Sequence, residues 1–316
     1  MIRRTAQAAG DHRTDDNRNG SGLMTTTLVT GATGYLGRHL VAELHRRGHT
    51  VRAVVRNRSR AEQPGKRESP SLAGLVDEWA IGQLGDESFV ADAVSGVSSV
   101  VSALGVTTQK ADPWDIDYRA NLAVLEAAQR NRVDSFCFVN VIGGDRCTAE
   151  LTKAKTAFAL ALSGSSISSL IINPPGYFSD MMQVFDMAKR GRVYLFDPER
   201  RINPIHGADL AAACVDRLES GEQGNWDIGG PDVFTWRQLA ECAFTALEKK
   251  PRLTRIPPAA LTPIQAIASL VTPRRADTLR FVTWGMLNDS VGEPVGTHHL
   301  AEFFAEQANT LSTDRW

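Results

Sequence analysis

Three glycines at three-residue spacing, Gly31, Gly34 and Gly37 in TLVTGATGYLGRHL (27–40), are the first residues whose types and pattern suit chemistry. Gly31 permits a tight turn, Gly34 lets the backbone approach a pyrophosphate, and Gly37 lets a helix pack closely on the preceding strand. The triplet carries that meaning only between a strand and a helix. Leu28 and Val29 end a short β-prone run before Gly31. After Gly37, Leu40, Val41 and Leu44 recur at helical spacing, and Gly48 supplies a stop. A helix opening near Gly34 points unpaired N–H groups and its positive dipole end at phosphates. Gly31, Thr33, Gly34, Tyr35, Leu36 and Gly37 are therefore assigned to a dinucleotide.

The end of the second strand selects the dinucleotide. An acid about 20 positions after the loop holds the ribose 2′-hydroxyl of NAD, whereas an Arg accommodates the 2′-phosphate of NADP. Here HTVRAVVRN (49–57) carries Arg56, with Arg58 and Arg60 close behind and no acid between Thr50 and Ala61. A guanidinium binds a phosphate through two parallel hydrogen bonds, and a carboxylate would repel it. A solvated basic loop accounts for Arg58 and Arg60. Arg56 ends the apolar run VVR and is read as the phosphate ligand, which favours NADP(H) over NAD(H).

These loops need a scaffold. Strands are expected over 49–57, 76–84, 98–105, 135–144 and 167–173, with helices over 119–133 and 153–164 between them. That alternation predicts an α/β fold, a doubly wound parallel sheet of the Rossmann kind. The Arg-, Ser- and Pro-rich stretch 57–75 reads as a loop. From Pro174 the pattern changes. SDMMQVFDMAKRG (179–191) reads as an amphipathic helix capped by Ser179, with Met181, Val184, Phe185 and Ala188 on one face. NWDIGGPDVFTW (225–236) is placed to return a strand to the sheet. The expected organisation is a disordered tail over 1–23, an NAD(P)-binding domain over 24–173 and a smaller interleaved cap over 174–316, of which about 201–230 returns to the sheet. Met24, just before the first strand, is read as the start of the folded unit.

Composition excludes several functional classes. The 316 residues are 42% hydrophobic, enough for a large core. Lys and Arg total 35 against 36 Asp and Glu, a formal net charge of −1, which gives no support for nucleic acid or an anionic membrane as partner. Cys137, Cys147, Cys214 and Cys242 are scattered with neither CxxC nor metal spacing, so they read as free thiols in a reducing, cytoplasmic compartment, with no metal site. No apolar run reaches the ~20 residues that span a bilayer, and residues 1–22 carry no apolar secretory stretch. The expected partner is a small molecule.

With these residues placed, the chain resembles the short-chain dehydrogenase/reductase superfamily, and within it the atypical, NmrA-like branch. TGATGYLG matches the TGxxGxxG loop, while NPPGYFSDM (173–181) and NPIHGADLA (203–211) point to the branch. The resemblance runs from about Thr27 to GTHHLAEFF (296–304). It implies a Rossmann domain, NADP(H) and a small substrate under a C-terminal cap. The remaining positions assigned to the cofactor are Leu84, Ala103, Leu104, Gly105, Pro174 and Pro175.

The chain departs from the superfamily where a proton is needed. Typical members use a Tyr acid, a Lys four residues later and a nearby Ser. Here none of the lysines has a Tyr four residues upstream. Lys155, nine residues before Gly164, matches by position, but Leu151 occupies the Tyr place, and FVNVIGG offers Asn140 near the expected Ser. The resemblance gives Lys155 the ribose hydroxyls and a positive charge beside the nicotinamide, where developing negative charge is stabilised. Lys153, on another helix face, is the surface comparison. Tyr177, after Pro174-Pro175-Gly176, is the candidate acid, with water as the alternative. Asn140 can orient a substrate oxygen but has no proton to give at neutral pH. Tyr118, in DIDYRAN, is read as packing just before a helix. His206 is of the residue type that can titrate near neutrality, yet belongs to a family segment that looks structural, with Asp209 beginning a helix. The expected activity is NADPH-dependent reduction of a small, largely apolar molecule at a conjugated C=C bond or a ketone. The alternative is a non-catalytic NADP(H)-binding sensor that binds a partner protein.

Overall fold

The computed structural model describes residues 25–65, 67, 69–106, 111–257, 259 and 273–313. The expected tail over 1–23 and Met24 lie outside the described residues. Five apolar runs form strands β1 (Thr26–Thr30), β2 (Thr50–Val55), β4 (Ser99–Ser102), β5 (Ser135–Val139) and β6 (Ser168–Asn173), with β3 (Glu78–Ile81) between β2 and β4. All but β3 are mostly buried, because helices cover both faces of a parallel sheet. β3 alternates only weakly in burial, since it forms the outer edge, which explains its faint sequence signal.

The covering helices are α1 (Tyr35–Arg46), α2 (Arg58–Ala61), α3 (Glu87–Val94), α4 (Asn121–Arg130) and α5 (Glu150–Ser163). The C-terminal region adds α6 (Phe178–Lys189), α7 (Gly207–Ser220), α8 (Trp236–Ala246), α9 (Pro273–Leu287) and α10 (Leu300–Thr313). It also adds the short strands β7 (Val193–Leu195), β8 (Arg201–Ile202), β9 (Gly224–Gly229), β10 (Phe234–Thr235), β11 (Leu253–Arg255) and β12 (Glu293–Pro294).

Eight strands make one sheet in the order β12-β9-β6-β5-β4-β1-β2-β3, every pairing parallel. The register sets Val29 opposite both Ala53 and Val101, and Cys137 opposite Val101 and Leu170. The chain runs outward through β2 and β3 on one side of β1, then crosses to β4 and runs the other way. The reversal between β1 and β4 opens a crevice at the strands' C-terminal ends, where ligands of such sheets bind. Successive residues of a strand face opposite layers. Val29 therefore packs under α1 and α7 with Leu40, Leu210 and Cys214, and Leu28 packs under α3, α4 and α5 with Phe136 and Phe158. A third core of Phe178, Phe185, Trp236, Phe244 and Phe304 holds the C-terminal helices together.

The α/β doubly wound sheet agrees with the sequence pattern; two local expectations need correction and one is refined. Ser179 does not cap α6. The cap position is Tyr177, whose backbone N–H donates to Asp180 Oδ2 at 3.1 Å, and Ser179 is buried in the first turn. An acid three residues into a helix reaches back to the chain entering it, which displaces the hydroxyl from that task. Tyr118 packs just before α4, as expected, with its ring 5.7 Å from Trp114, but the turn that carries it, Trp114–Ala120, is π-helical. The stretch 57–75 is not wholly loop, because the Asn57 side chain accepts from Arg60 N at 2.9 Å and starts α2.

Asn203 ties β9 and β12 to the chain entering α7. Fully buried, it donates through Nδ2 to Gly230 O and Gly292 O, and accepts from Gly292 N at Oδ1, each at 3.0 Å. Asn203→Ala would leave these backbone groups unpaired, and each buried orphan costs about 1–3 kcal/mol. The expected loss is about 3 kcal/mol in urea unfolding. A loss below about 1 kcal/mol would show that water takes over the amide's bonds.

Candidate cofactor and active site

The glycine loop sits in the crevice between β1 and β4. Gly31 has φ +73°, and a Cβ there would lie 2.6 Å from the carbonyl carbon and oxygen of Ala103. At Gly37 a Cβ would lie 2.1 Å from Gly31 O, so helix and turn touch backbone to backbone. Gly34 differs. It is the N-cap of α1, no side chain caps it, no acid stands in the first turn, and its Cβ would meet only Gly31 O at 3.2 Å. Thr33 and Gly34 are exposed. The first-turn N–H groups thus face open space with the positive end of the helix dipole behind them, a cradle that fits a diphosphate. Leu36 is buried, so it has its backbone to offer. Tyr35 spends its side chain elsewhere: Oη accepts from Gly207 N at 3.1 Å, and its ring stands 5.6 Å from that of Tyr177.

Arg56 follows β2, exposed, with no hydrogen-bond or ion-pair partner among the described residues. Arg58 is engaged with Glu62 at 2.8 Å and lies 5.2 Å over the Trp79 ring. A guanidinium that sequence reasoning missed organises this corner. Arg38 is 4% exposed and, among the described residues, has no carboxylate partner. Its Nη1 donates to Ala61 O, Gln63 O and Pro70 O at 3.1, 2.8 and 2.8 Å, and its Nε to Thr33 O at 3.2 Å. Burial and the neighbouring Arg60 lower its pKa. One cation thereby binds the glycine loop to the loop behind Arg56. Helical spacing gave no signal for it, because Arg38 stands two positions from both Leu36 and Leu40 and so lies off their face.

Across the crevice, Leu84 packs half-buried against the α3–α4 layer. Ala103 continues β4, its N–H donating to Thr30 O at 3.0 Å. Pro174 O, at the end of β6, accepts from Ile142 N at 3.2 Å, and Pro175 is half-buried after it. Asn140 is held by Asn173, to whose Oδ1 it donates at 2.9 Å, and its own buried Oδ1 has no partner.

Lys155 and Lys153 separate as their spacing requires. Lys153 is half exposed and pairs with Glu150 at 2.7 Å. The Lys155 side chain is 11% exposed and runs inward over the Phe138 ring. Its Nζ donates to Val139 O at 3.0 Å and to Leu104 O at 3.1 Å, and lies 3.3 Å from Asp117 Oδ1. A Cβ on Gly105 would lie 3.5 Å from both Nζ and Asp117 Oδ1. The ammonium is thus fixed just beneath the ends of β4 and β5. Leu151, in the Tyr place, is covered from the cap side: Asp277 of α9 accepts from Glu150 N at 2.8 Å and Leu151 N at 3.4 Å. Tyr177 keeps different company. Its ring packs with Tyr35 and the α1–α7 core, and no contact joins it to Lys155. Burial, with Asp180 nearby, raises its hydroxyl well above the usual tyrosine range.

The C-terminal region meets α1 through histidines. His206 caps α7, accepting from Ala208 N, and stacks on His298 at 4.1 Å with His39 edge-on at 5.4 Å. Asp209 accepts from His298 N and pairs with its Nδ1 at 2.8 Å. Burial, then the neighbouring imidazoles, lowers both His39 and His206 to about 4. Among the described residues no helix is long and apolar enough to cross a membrane, and no His, Cys, Asp and Glu cluster is placed to hold a metal.

Comparison with known proteins agrees with this geometry. Residues 31–220 match a family described as NAD(P)H-binding. The chain belongs to this NAD(P)H-binding family. Its structural neighbours include NADPH- and NADP(H)-bound reductases, with which it shares the fold. The chloroplastic divinyl chlorophyllide a 8-vinyl-reductase of Zea mays is 31% identical over 255 residues, covering 74% of this chain and 62% of its own length. The chain thus spans about three fifths of that relative. The NADPH complex of an NADPH-dependent quinone oxidoreductase from Escherichia coli superposes with a TM-score of 0.70 at 20% identity, covering 90% of this chain and 99% of that one. The NADP(H) complex of the triphenylmethane reductase of Citrobacter sp. gives 0.70 at 17% identity, covering 89% and 99%. Both share the fold.

Two measurements follow. Arg56→Asp replaces a free cation with a repelling charge, so calorimetry is expected to show NADPH binding about tenfold or more weaker and NADH binding little changed, since a charge-assisted bond is worth roughly 1.5–3 kcal/mol. Equal NADPH affinity in parent and variant would place the 2′-phosphate elsewhere. His39 and His206 bind protons more weakly folded than unfolded, so their contribution is complete above pH 6.5 and is lost as the pH falls toward 4. Each adds a slope of up to about 1.4 kcal/mol per pH unit across that window. Urea midpoints between pH 7.5 and 5 are expected to fall steeply, and His39→Gln to give a lower but flatter curve. A parallel curve would mean that His39 does not titrate on unfolding.

Proposed function

We propose that this protein is an NADPH-dependent reductase that delivers hydride to a small, largely apolar, conjugated acceptor. The observation that carries the reading is the inward-turned ammonium of Lys155, held beneath the ends of β4 and β5 across the crevice from an uncapped, glycine-lined helix start. NADPH, when bound, supplies the hydride and leaves as NADP⁺. The first turn of α1 takes the diphosphate on its N–H groups, and Arg56 takes the 2′-phosphate. Lys155 keeps a positive charge close to the place where negative charge develops. Asn140, braced by Asn173, orients a substrate oxygen. Tyr177 is packed against Tyr35 and holds its proton too firmly to be an efficient acid, so the proton comes from water. A conjugated acceptor suits that arrangement, because its negative charge moves away from the carbon that receives hydride to an atom that solvent reaches. The relatives' names support the same class: a vinyl group, a quinone and a triphenylmethane dye are all conjugated.

The test is NADPH oxidation, followed at its absorbance, against a panel of enones, quinones and simple ketones, with enones or quinones expected to react. On the acceptor so found, Lys155→Met is expected to lower kcat at least ~10-fold, about 1.4 kcal/mol of barrier, and Lys153→Met to be nearly silent. Tyr177→Phe is expected to keep most of the turnover. A loss as large as that of Lys155→Met would return the acid's role to Tyr177. Tight NADPH binding with no acceptor reduced would leave a binding protein rather than an enzyme.

A further inference from the structure

Arg58, Arg146 and Arg217 each lie over a tryptophan ring, at 5.2, 5.8 and 5.0 Å from its centre. Arg58 also binds Glu62, and Arg217 binds Glu222 and Glu293, so each of these two stacked guanidiniums has its acid within the chain. Arg146 differs. It is exposed, and its side chain has no carboxylate or hydrogen-bond partner among the described residues, its neighbour Asp145 included. The acids of the adjoining elements are engaged elsewhere. Glu150 accepts from Trp114 Nε1 at 2.9 Å and pairs with Lys153, and Asp277 accepts from the backbone that starts α5. Yet Arg146 is not a loose surface cation. It ends the short 3₁₀ turn Gly144–Arg146, in the loop that runs from Asn140 to the helix of Lys155. Ile142 N ties that loop to Pro174 O at 3.2 Å, and Thr152 Oγ1 ties it to Cys147 O at 3.1 Å. Gly143 has φ +60°, and a Cβ there would lie 2.4 Å from Trp284 Cη2 and 2.8 Å from Arg146 Nη2. The Trp284 ring of α9 and the guanidinium thus rest on bare backbone beside the strand ends where the crevice opens.

We propose that Arg146 anchors a carboxylate carried by the acceptor, and that Trp284 holds the guanidinium in place for it. A guanidinium stacked by its face keeps its edge free, and that edge offers parallel N–H donors matched to a carboxylate. Ordering by the ring reduces the freedom lost when the pair forms. Placement decides which molecule brings the anion. The first turn of α1 and Arg56 serve the phosphates of the dinucleotide on the β1–β2 side of the crevice, whereas Arg146 follows β5, on the far side of β4. The molecule that reaches it is the one that receives hydride near Lys155. This inference rests on the reading of the protein as a reductase of a conjugated acceptor. It adds that the acceptor is an acid, a planar conjugated carboxylate bound through its anion, with its conjugated part left to the crevice.

The test is calorimetry on the whole protein saturated with NADP⁺, which needs no turnover, with trans-cinnamate and sorbate as probes, each beside its methyl ester. Both carboxylates are expected to bind more tightly than their esters. Arg146→Gln is expected to weaken the carboxylates about fivefold or more, the worth of one well-aligned surface ion pair, and to leave the esters and NADPH unchanged. Trp284→Leu keeps the charge but frees the guanidinium, and is expected to weaken the carboxylates by a smaller factor. Arg130→Gln, at an exposed arginine that ends α4 and has no partner among the described residues, is the reference and is expected to be silent. Carboxylates that bind no better than their esters, or equally well with and without Arg146, overturn the proposal. A loss of NADPH affinity in Arg146→Gln overturns it too, because the cation would then belong to the cofactor. The site and the activity fail separately. Arg146-dependent binding of carboxylates that are never reduced would keep this anchor and count against the reductase. Reduction of neutral enones with no preference for acids would keep the reductase and remove the anchor. On a carboxylate that is reduced, Arg146→Gln is expected to raise KM about fivefold with kcat within about twofold, because the ion pair is equally present before and during hydride transfer.

Discussion

The contact between β1 and β4 at the reversal of the sheet governs the site. Gly31 approaches the Ala103 carbonyl so closely that any side chain would collide with backbone. The turn that follows is therefore fixed, and Gly37 returns against Gly31 O to fix the helix on top of it. Everything the site needs from α1 follows from these two approaches: where its first turn opens, which way its dipole points, and how near Leu104 and Gly105 come to Lys155. Loss of the approach would move the cradle and the cation together.

Two buried cations meet at this crevice and are treated differently. Arg38 has no acid partner among the described residues, and backbone carbonyls from Thr33 and from the 60–70 stretch satisfy its guanidinium. Carbonyl dipoles spread the charge and leave a net positive field beside the exposed Arg56, an environment suited to anions. Lys155 has carbonyl partners as well, but also a buried carboxylate at 3.3 Å. The corner with the free Arg56 thus keeps an uncompensated cation, and the corner at the ends of β4 and β5 keeps a compensated one. That difference fits a dinucleotide whose phosphates lie at one end of the crevice and whose reacting ring lies at the other.

The C-terminal region is not a separate body resting on the sheet. β9 and β12 extend the sheet beyond β6, α7 packs on α1, and Asp277 of α9 caps the start of α5 where the superfamily's tyrosine would stand. Substitution of that tyrosine by Leu151 is thus accompanied by a cap element docked on the same helix turn. The histidine stack of His206 and His298, edge-on to His39, ties the cap to the very helix that opens at Gly34. Folding of the cap and ordering of the cofactor helix share these contacts.

Short-range pattern was enough to read the parallel sheet, the glycine turn and the separation of Lys155 from Lys153, because each depends on spacing within one element and on backbone space. NAD(P)H binding was legible for the same reason, since three glycines between a strand and a helix leave few other uses. Arg38 and Asp117 were not legible. Their partners stand far off in sequence: Pro70 for the one, Lys155 for the other. The π-helical turn was invisible too, for it differs from an α-helix in hydrogen bonding rather than in the periodicity of residue types. Ser179 looked like a cap because a hydroxyl before an apolar face is the usual local signal, and Asp180 overrode it by reaching back to Tyr177. The sequence by itself determined the scaffold and the cradle. Which cation is compensated, and by what, was decided only when the ends of β4 and β5 and the start of α4 came together, because charge acts through space and not along the chain.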